Sequence, residues 1–259
     1  MNASPPRAVW TGVISFSLVN LPIRLYSATA EHAVRLREIH KADGGRIRHK
    51  RVCELDGEEI PYEDVGRGFE LPGDGGMVQL TDADLDRLPL ATRHQVQVHG
   101  FVPADDVDPI SYSRAYYAGP AGEAAGRAYS LLVAALARAG VVAVCRVVIR
   151  TRERLAILRP RHGVLVLQTL LWPDEVRDPG NLAPSTPVTD REMALAELLM
   201  HELTGVEGDD LRDRSRDALE ALVDAKIADR QIESPPQPQP LGDLLAALER
   251  SVRAARDAR

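Results

Sequence analysis

From residue 8 to residue 28 (AVWTGVISFSLVNLPIRLYSA), β-branched and aromatic residues alternate with small or polar ones, a period of two that predicts two strands or one bent strand. Pro22 argues against an interior position in a central ladder there, because proline has no amide to donate. Two short extended segments are expected at 32–40 and 46–53, joined across Asp43-Gly44-Gly45, whose glycines supply the positive φ of a tight turn. A second turn is expected at Asp56-Gly57. Further strands are expected around 68–71, 77–80, 95–101 and 110–118, with a short helix from Thr81 or Asp82 to Leu88.

The pattern then changes period. In GRAYSLLVAALARAG, residues 126–140, Leu131, Leu132, Ala135 and Leu136 recur at helical spacing, and Gly140 sits where a left-handed cap belongs. Three apolar runs follow, VVAVCRVVIR, RLAILR and GVLVLQTLLW, with turns at TRE and RPRHG, and an antiparallel meander is the simplest arrangement. After a Pro-rich break, Thr189-x-x-Glu192 forms a capping box ahead of an amphipathic helix. A second helix is expected in DLRDRSRDALEALVDAKIADR. The segment SPPQPQP reads as a linker before a last short helix. The expected organisation is a β-rich body at 1–186, a helical region at 187–233, the linker at 234–240 and a terminal helix at 241–259.

Composition places the chain among ordinary soluble globular proteins: 44% of its 259 residues are hydrophobic and 27% charged. No run approaches the roughly 20 apolar residues of a membrane helix, and the first ten residues lack the layout of a signal peptide, so a cytoplasmic location and no membrane partner are expected. Two cysteines far apart in sequence, Cys53 and Cys145, suit reduced thiols. The net charge of −6 conceals a segregated pattern: +6 over residues 1–51, −11 over 52–110, +4 over 111–190 and −5 over 191–259. The first block holds Arg35, Arg37, Lys41, Arg46, Arg48, Lys50 and Arg51 on what reads as a single hairpin. If 46–50 is extended, Arg46, Arg48 and Lys50 share one face and Ile47, His49 and Arg51 the other. Arg35 and Arg37 share a face of the partner strand. Like charges on a narrow ribbon repel, so either the acidic block neutralises them or a polyanion does. The second set is Arg146, Arg150, Arg152 and Arg154. Together the two sets form a candidate phosphate-tracking surface, which gives affinity without sequence choice. The ratio of 29 Arg to 3 Lys can also reflect base composition.

Catalytic signatures do not assemble. His201-Glu202 begins like a zinc-protease motif, but the position of the second histidine is Gly205. Asp82, Asp84 and Asp86 read as first-turn acids favoured by the helix dipole. Neither Gly-rich phosphate-loop pattern occurs. No enzyme activity, cofactor or metal is expected. A hydrolase using carboxylates of the acidic block, and a generic nucleic-acid-binding β-barrel without preference for ends, are the rival readings; the latter is disfavoured by an aromatic content of 4% and a basic hairpin with no aromatic to stack bases.

Seven blocks in order, WTGVISFSLVNLPIRLYSATAEH, HKADGGRIRHKRVCELDGEEI, GFELP, FVPADDVDPI, YYAGP, RTRERLAILRPRHGVLVLQTLLWPDEVRD and ALVDAKI, resemble the bacterial Ku proteins of non-homologous end joining. The resemblance implies a mixed, β-rich fold: a β-barrel core with extended β arms that form a dimeric ring around DNA, plus a helical C-terminal region. It implies a homodimer that binds double-stranded DNA ends, protects them without sequence preference, and recruits the ATP-dependent DNA ligase of the pathway through its C-terminal region. A nucleoid-associated location follows. By the same resemblance, Arg35 to Arg51 belong to the arm bridging the duplex and Arg146 to Arg154 line the same cradle. Some members carry cysteine pairs like a zinc ribbon around this hairpin; here Cys53 stands alone, with His40 and Asp56 at nearby turns, so no metal is expected. Some extend into a Lys-rich tail, whereas this chain stops at SVRAARDAR, so contacts dependent on such a tail are not expected. The region 191–233 is net acidic and suits a protein partner better than DNA.

Overall fold

The computed structural model describes residues 7–30, 36–73, 75–88, 94–205, 213–230 and 243–257. They fall into two compact units, one within residues 1–178 apart from a short segment at 33–36, the other from residue 179 onward.

The first unit is a closed barrel of seven strands. Strands β1 (Trp10–Phe16) and β2 (Val19–Ser27) form an antiparallel hairpin, with Trp10 opposite Leu25 and Phe16 opposite Val19. Outside the barrel come a two-stranded ribbon, β3 (Arg67–Glu70) with β4 (Met77–Leu80), and the short helix α1 (Asp82–Asp86). The chain returns through β5 (Gln95–Pro103) and β6 (Tyr112–Pro120). Helix α2 (Gly126–Ala139) leads into the meander β7 (Val141–Ile149), β8 (Arg152–Arg161) and β9 (Val164–Leu170). The order around the barrel is β1-β2-β6-β9-β8-β7-β5, and a parallel pairing of β1 with β5 closes it.

That seam explains a glycine. At Gly12 a Cβ would lie 2.3 Å from the carbonyl oxygen of His94 and 2.4 Å from the Trp10 ring, so no side chain fits where β1 meets the start of β5. Pro22 is accommodated in a strand paired on both sides because the β2–β6 register begins one residue later, at Ile23 opposite Pro120. Its missing donor points past the end of β6, and its carbonyl accepts from Ala121 N at 2.9 Å.

The core follows from strand alternation. Ile14, Ile23, Leu25, Val96, Cys145, Val147, Leu158, Leu165 and Leu167 are buried on the inner face, and Tyr129, Val133 and Leu136 of α2 join the same cluster. Burying each large aliphatic side chain contributes about 1.5–3 kcal/mol. Tyr129 ties helix to barrel: its hydroxyl donates to Ala118 O at 2.6 Å and accepts from Leu165 N at 2.8 Å. A second cluster, with Val142, Ile157 and Leu170, lies on the outer face of the meander. The meander turns are tighter than the apolar runs suggest. Strand β8 extends through Pro160 and Arg161, and the two-residue turn His162-Gly163 has φ of 48° and 80°, a geometry that matches strand twist. Helix α2 ends as expected, on Gly140 at φ 66°.

In the second unit, α3 (Asp190–Glu202) starts on the Thr189–Glu192 capping box, with Thr189 accepting from Glu192 N and the Glu192 carboxylate accepting from Thr189 N at 2.8 Å. Helix α4 (Arg214–Ile227) is capped by Asp213. Helix α5 (Leu244–Asp257) runs parallel to α3, held by Arg191–Glu249 at 2.7 Å near one end and Arg256–Glu202 at 3.1 Å near the other. No helix among the described residues is long and apolar enough to cross a membrane. The Pro-rich stretch at 234–240 lies outside the described residues.

Candidate functional site

Between β2 and β5 the chain contributes no strand to the barrel, and this excursion carries the basic hairpin. Its backbone is extended but pairs sparsely, through single bridges at Ile39↔Arg46 and Val52↔Glu59. The longer strands expected from the sequence do not form over the described part, residues 36–53. Every side chain of this part except that of Cys53 is exposed, the apolar Leu36, Ile39, Ile47 and Val52 included, so no buried apolar face rewards a continuous ladder.

Two turns with the same hydrogen bonds define the local geometry. In the first, His40 N donates to Gly45 O at 2.7 Å and Gly44 N to His40 O at 2.8 Å; in the second, Cys53 N donates to Glu58 O and Gly57 N to Cys53 O, both at 2.9 Å. Gly44 and Gly57 take φ of 71° and 75°, which their lack of a Cβ permits. An aspartate locks each turn, Asp43 accepting from Gly45 N at 2.8 Å and Asp56 from Glu58 N at 2.9 Å. Those amide donors, with His40 and Cys53 adding to them, hold both carboxyls below the usual aspartate range. No group of three or more His, Cys, Asp or Glu side chains converges as a metal site among the described residues.

The register through Ile39↔Arg46 sets Arg37 opposite Arg48, so Arg37, Arg46 and Arg48 share one face of the hairpin. Glu38 and His49, on the other face, pair with each other. The acidic block neutralises part of the hairpin's positive charge through Lys50, which donates to Glu59 at 2.5 Å, while within that block Arg67 donates to Asp82 at 2.5 Å. Arg51 instead stacks on the Tyr62 ring, 5.1 Å from its centroid. Arg37, Lys41, Arg46 and Arg48 are exposed and have no ion pair among the described residues. Arg35 lies outside the described residues.

The second basic set divides between two faces. Arg146 is opposite Leu155 on the outer face of the meander and lies over Trp172, 5.7 Å from the ring centroid. Arg154 is opposite Val147 and Arg152 opposite Ile149, on the face that carries the barrel core, at the end where that face opens. Arg150 occupies the β7–β8 turn at φ 61°. Arg51–Tyr62 and Arg146–Trp172 escaped sequence reasoning, because each ring sits eleven or more residues from its cation.

Asp84 is the N3 residue of the capping box on Thr81, whose hydroxyl and amide hold its carboxyl below the usual range, and Asp82 pairs with Arg67. Both acids therefore serve local structure.

A closed barrel with a charged, double-turned hairpin inserted between β2 and β5 defines a barrel-and-arm protein whose arm exposes cations that no acid compensates among the described residues. The family model described as the Ku70/Ku80 beta-barrel domain matches residues 15–195. The chain belongs to the Ku family. It is 45% identical over 259 residues to the non-homologous end joining protein Ku of Streptomyces griseus, and 46% identical over 260 residues to that of Frankia casuarinae, covering 98% of this chain in each case. The chain spans 65% of the length of those two relatives. A protein of the same description from Mycobacterium tuberculosis is 40% identical over 267 residues, covering 96% of this chain and 95% of the relative.

Proposed function

We propose that the chain is a homodimeric ring that binds double-stranded DNA ends in non-homologous end joining, with the arm hairpin and the meander arginines contacting phosphate. The observation that carries this reading is the shared face of Arg37, Arg46 and Arg48, which no acid among the described residues compensates, on an arm outside the barrel wall. Such a face costs self-repulsion unless a polyanion meets it. Guanidinium groups reading phosphates do not discriminate sequence, and preference for an end then comes from threading a closed ring. The relatives named above carry the same pathway in their names. The net acidic region from residue 187 onward is the surface through which the ATP-dependent ligase is recruited.

A gel shift with linear, hairpin-capped and closed-circular duplexes of equal length tests the reading. Retention of the linear duplex alone, without cleavage, is expected. Equal binding to closed circles would identify a barrel that binds nucleic acid without regard to ends. Deleting residues 187–259 is expected to leave end binding intact and abolish ligase stimulation.

A further inference from the structure

Helix α2 buries Tyr129, Val133 and Leu136 in the barrel and turns a different stripe outward. Arg127, Leu131, Ala134, Ala135 and Arg138 follow one another at spacings that place them on a single face, with the two arginines three turns and roughly 16 Å apart. Leu131 is 70% exposed at the middle of this stripe. Beside it lies an almost wholly apolar cavity of about 430 Å³, lined by Phe16, Val19, Phe101, Leu131, Ala135 and Ala139 among others. The alanines leave the room that larger residues would fill. Arg127 and Arg138 have no ion pair among the described residues, so the groove is apolar in the middle and cationic at both ends.

We infer that this groove is a docking site for an acidic amphipathic helix of a partner protein, with bulky apolar residues at i, i+4 and i+7 seated over Leu131 and Ala135 and carboxylates meeting Arg127 and Arg138. Charge selects the occupant. A second copy of the chain pairing through the same stripe would set Arg127 against Arg138 and repel. A nucleic acid would meet only two cations roughly 16 Å apart with an apolar hollow between them, which offers its backbone no continuous run of phosphate contacts. The hollow admits a projecting side chain, the geometry of helix-in-groove recognition.

The test uses the full-length chain and a fluorescein-labelled, helix-stapled synthetic peptide of sixteen residues, with leucines at i, i+4 and i+7 and glutamates near both ends. Saturable binding by fluorescence anisotropy is expected, weakened at least tenfold by Leu131→Asp. The double variant Arg127→Glu/Arg138→Glu is expected to lose the glutamate peptide and gain a matched peptide carrying lysines in place of the glutamates. Linear-duplex binding, unchanged in both variants, reports that they are folded and separates this inference from the DNA-end reading. No saturable binding, equal binding of the two peptides to the parent chain, or undiminished binding by Leu131→Asp would each overturn it. Preferential binding of phosphatidylglycerol vesicles over the peptide, lost in Leu131→Asp, would overturn it in favour of a membrane.

Discussion

Lys50 Nζ donates to Glu59 Oε2 at 2.5 Å, so the acid of the second turn occupies a cation that strand alternation alone groups with Arg46 and Arg48. The three basic residues that alternation places on that face are therefore inequivalent. Two keep their charge available, and one is paired before any ligand arrives.

Replacing Arg37, Arg46 and Arg48 together by alanine is expected to weaken linear-duplex binding to the same degree for unrelated sequences. The slope of log affinity against log salt should fall by about one for each phosphate contact removed. Lys50→Ala should change both much less. Fluorescence anisotropy across a salt series checks this; an equal or larger effect of Lys50→Ala would reverse the ranking.

Tyr129→Phe removes a hydroxyl that serves two buried main-chain groups, Ala118 O and Leu165 N. Two unsatisfied groups should remain in the core, at a cost of about 1–3 kcal/mol. Thermal unfolding followed by near-UV circular dichroism should show a lower Tm. Far-UV spectra should be unaltered at 20 °C.

The two thiols should react differently. Cys145 is buried, its Sγ donates to Ala156 O at 3.3 Å, and burial pushes its pKa far above the ordinary thiol value. Cys53 is partly exposed. Ellman's reagent is expected to titrate one thiol in the native chain and both in guanidinium chloride; rapid reaction of both under native conditions would show that the barrel opens.

Acid should loosen the start of α3 first. Thr189 donates to the Glu192 carboxylate from both hydroxyl and amide, which holds that carboxyl below the usual glutamate value. A depressed folded pKa means the capping contribution is complete above the unfolded glutamate range and disappears as pH falls through the folded value. Carboxyl-carbon NMR titration should place Glu192 below a glutamate in an unstructured peptide. Amide exchange in the first turn of α3 should accelerate over the same window. Thr189→Ala removes the hydroxyl but keeps the amide, so it should move the Glu192 titration part of the way back toward the ordinary glutamate range.

The pairs Lys50–Glu59 and Arg146–Leu155 mark the boundary between local and global information. Strand alternation around β1 and β2, the helical spacing of Leu131 to Leu136 with Gly140 behind it, and the Thr189-x-x-Glu192 box are encoded within one or two turns of chain. Periodicity and capping act over that distance, so the elements, the basic hairpin and its two aspartate turns were legible from the residues alone. Barrel closure was not. It depends on β1 meeting β5 eighty residues later, at a seam where Gly12 leaves space for His94 O. Nor could the chain order show that Arg146 and Arg154, seemingly one basic block, stand on opposite faces of the meander: that follows from the cross-strand register, which sets one against Leu155 and the other against Val147. Local sequence determined where charge is concentrated; only the tertiary structure decided which charges stay unpaired, because acids and rings reach them across turns and between strands.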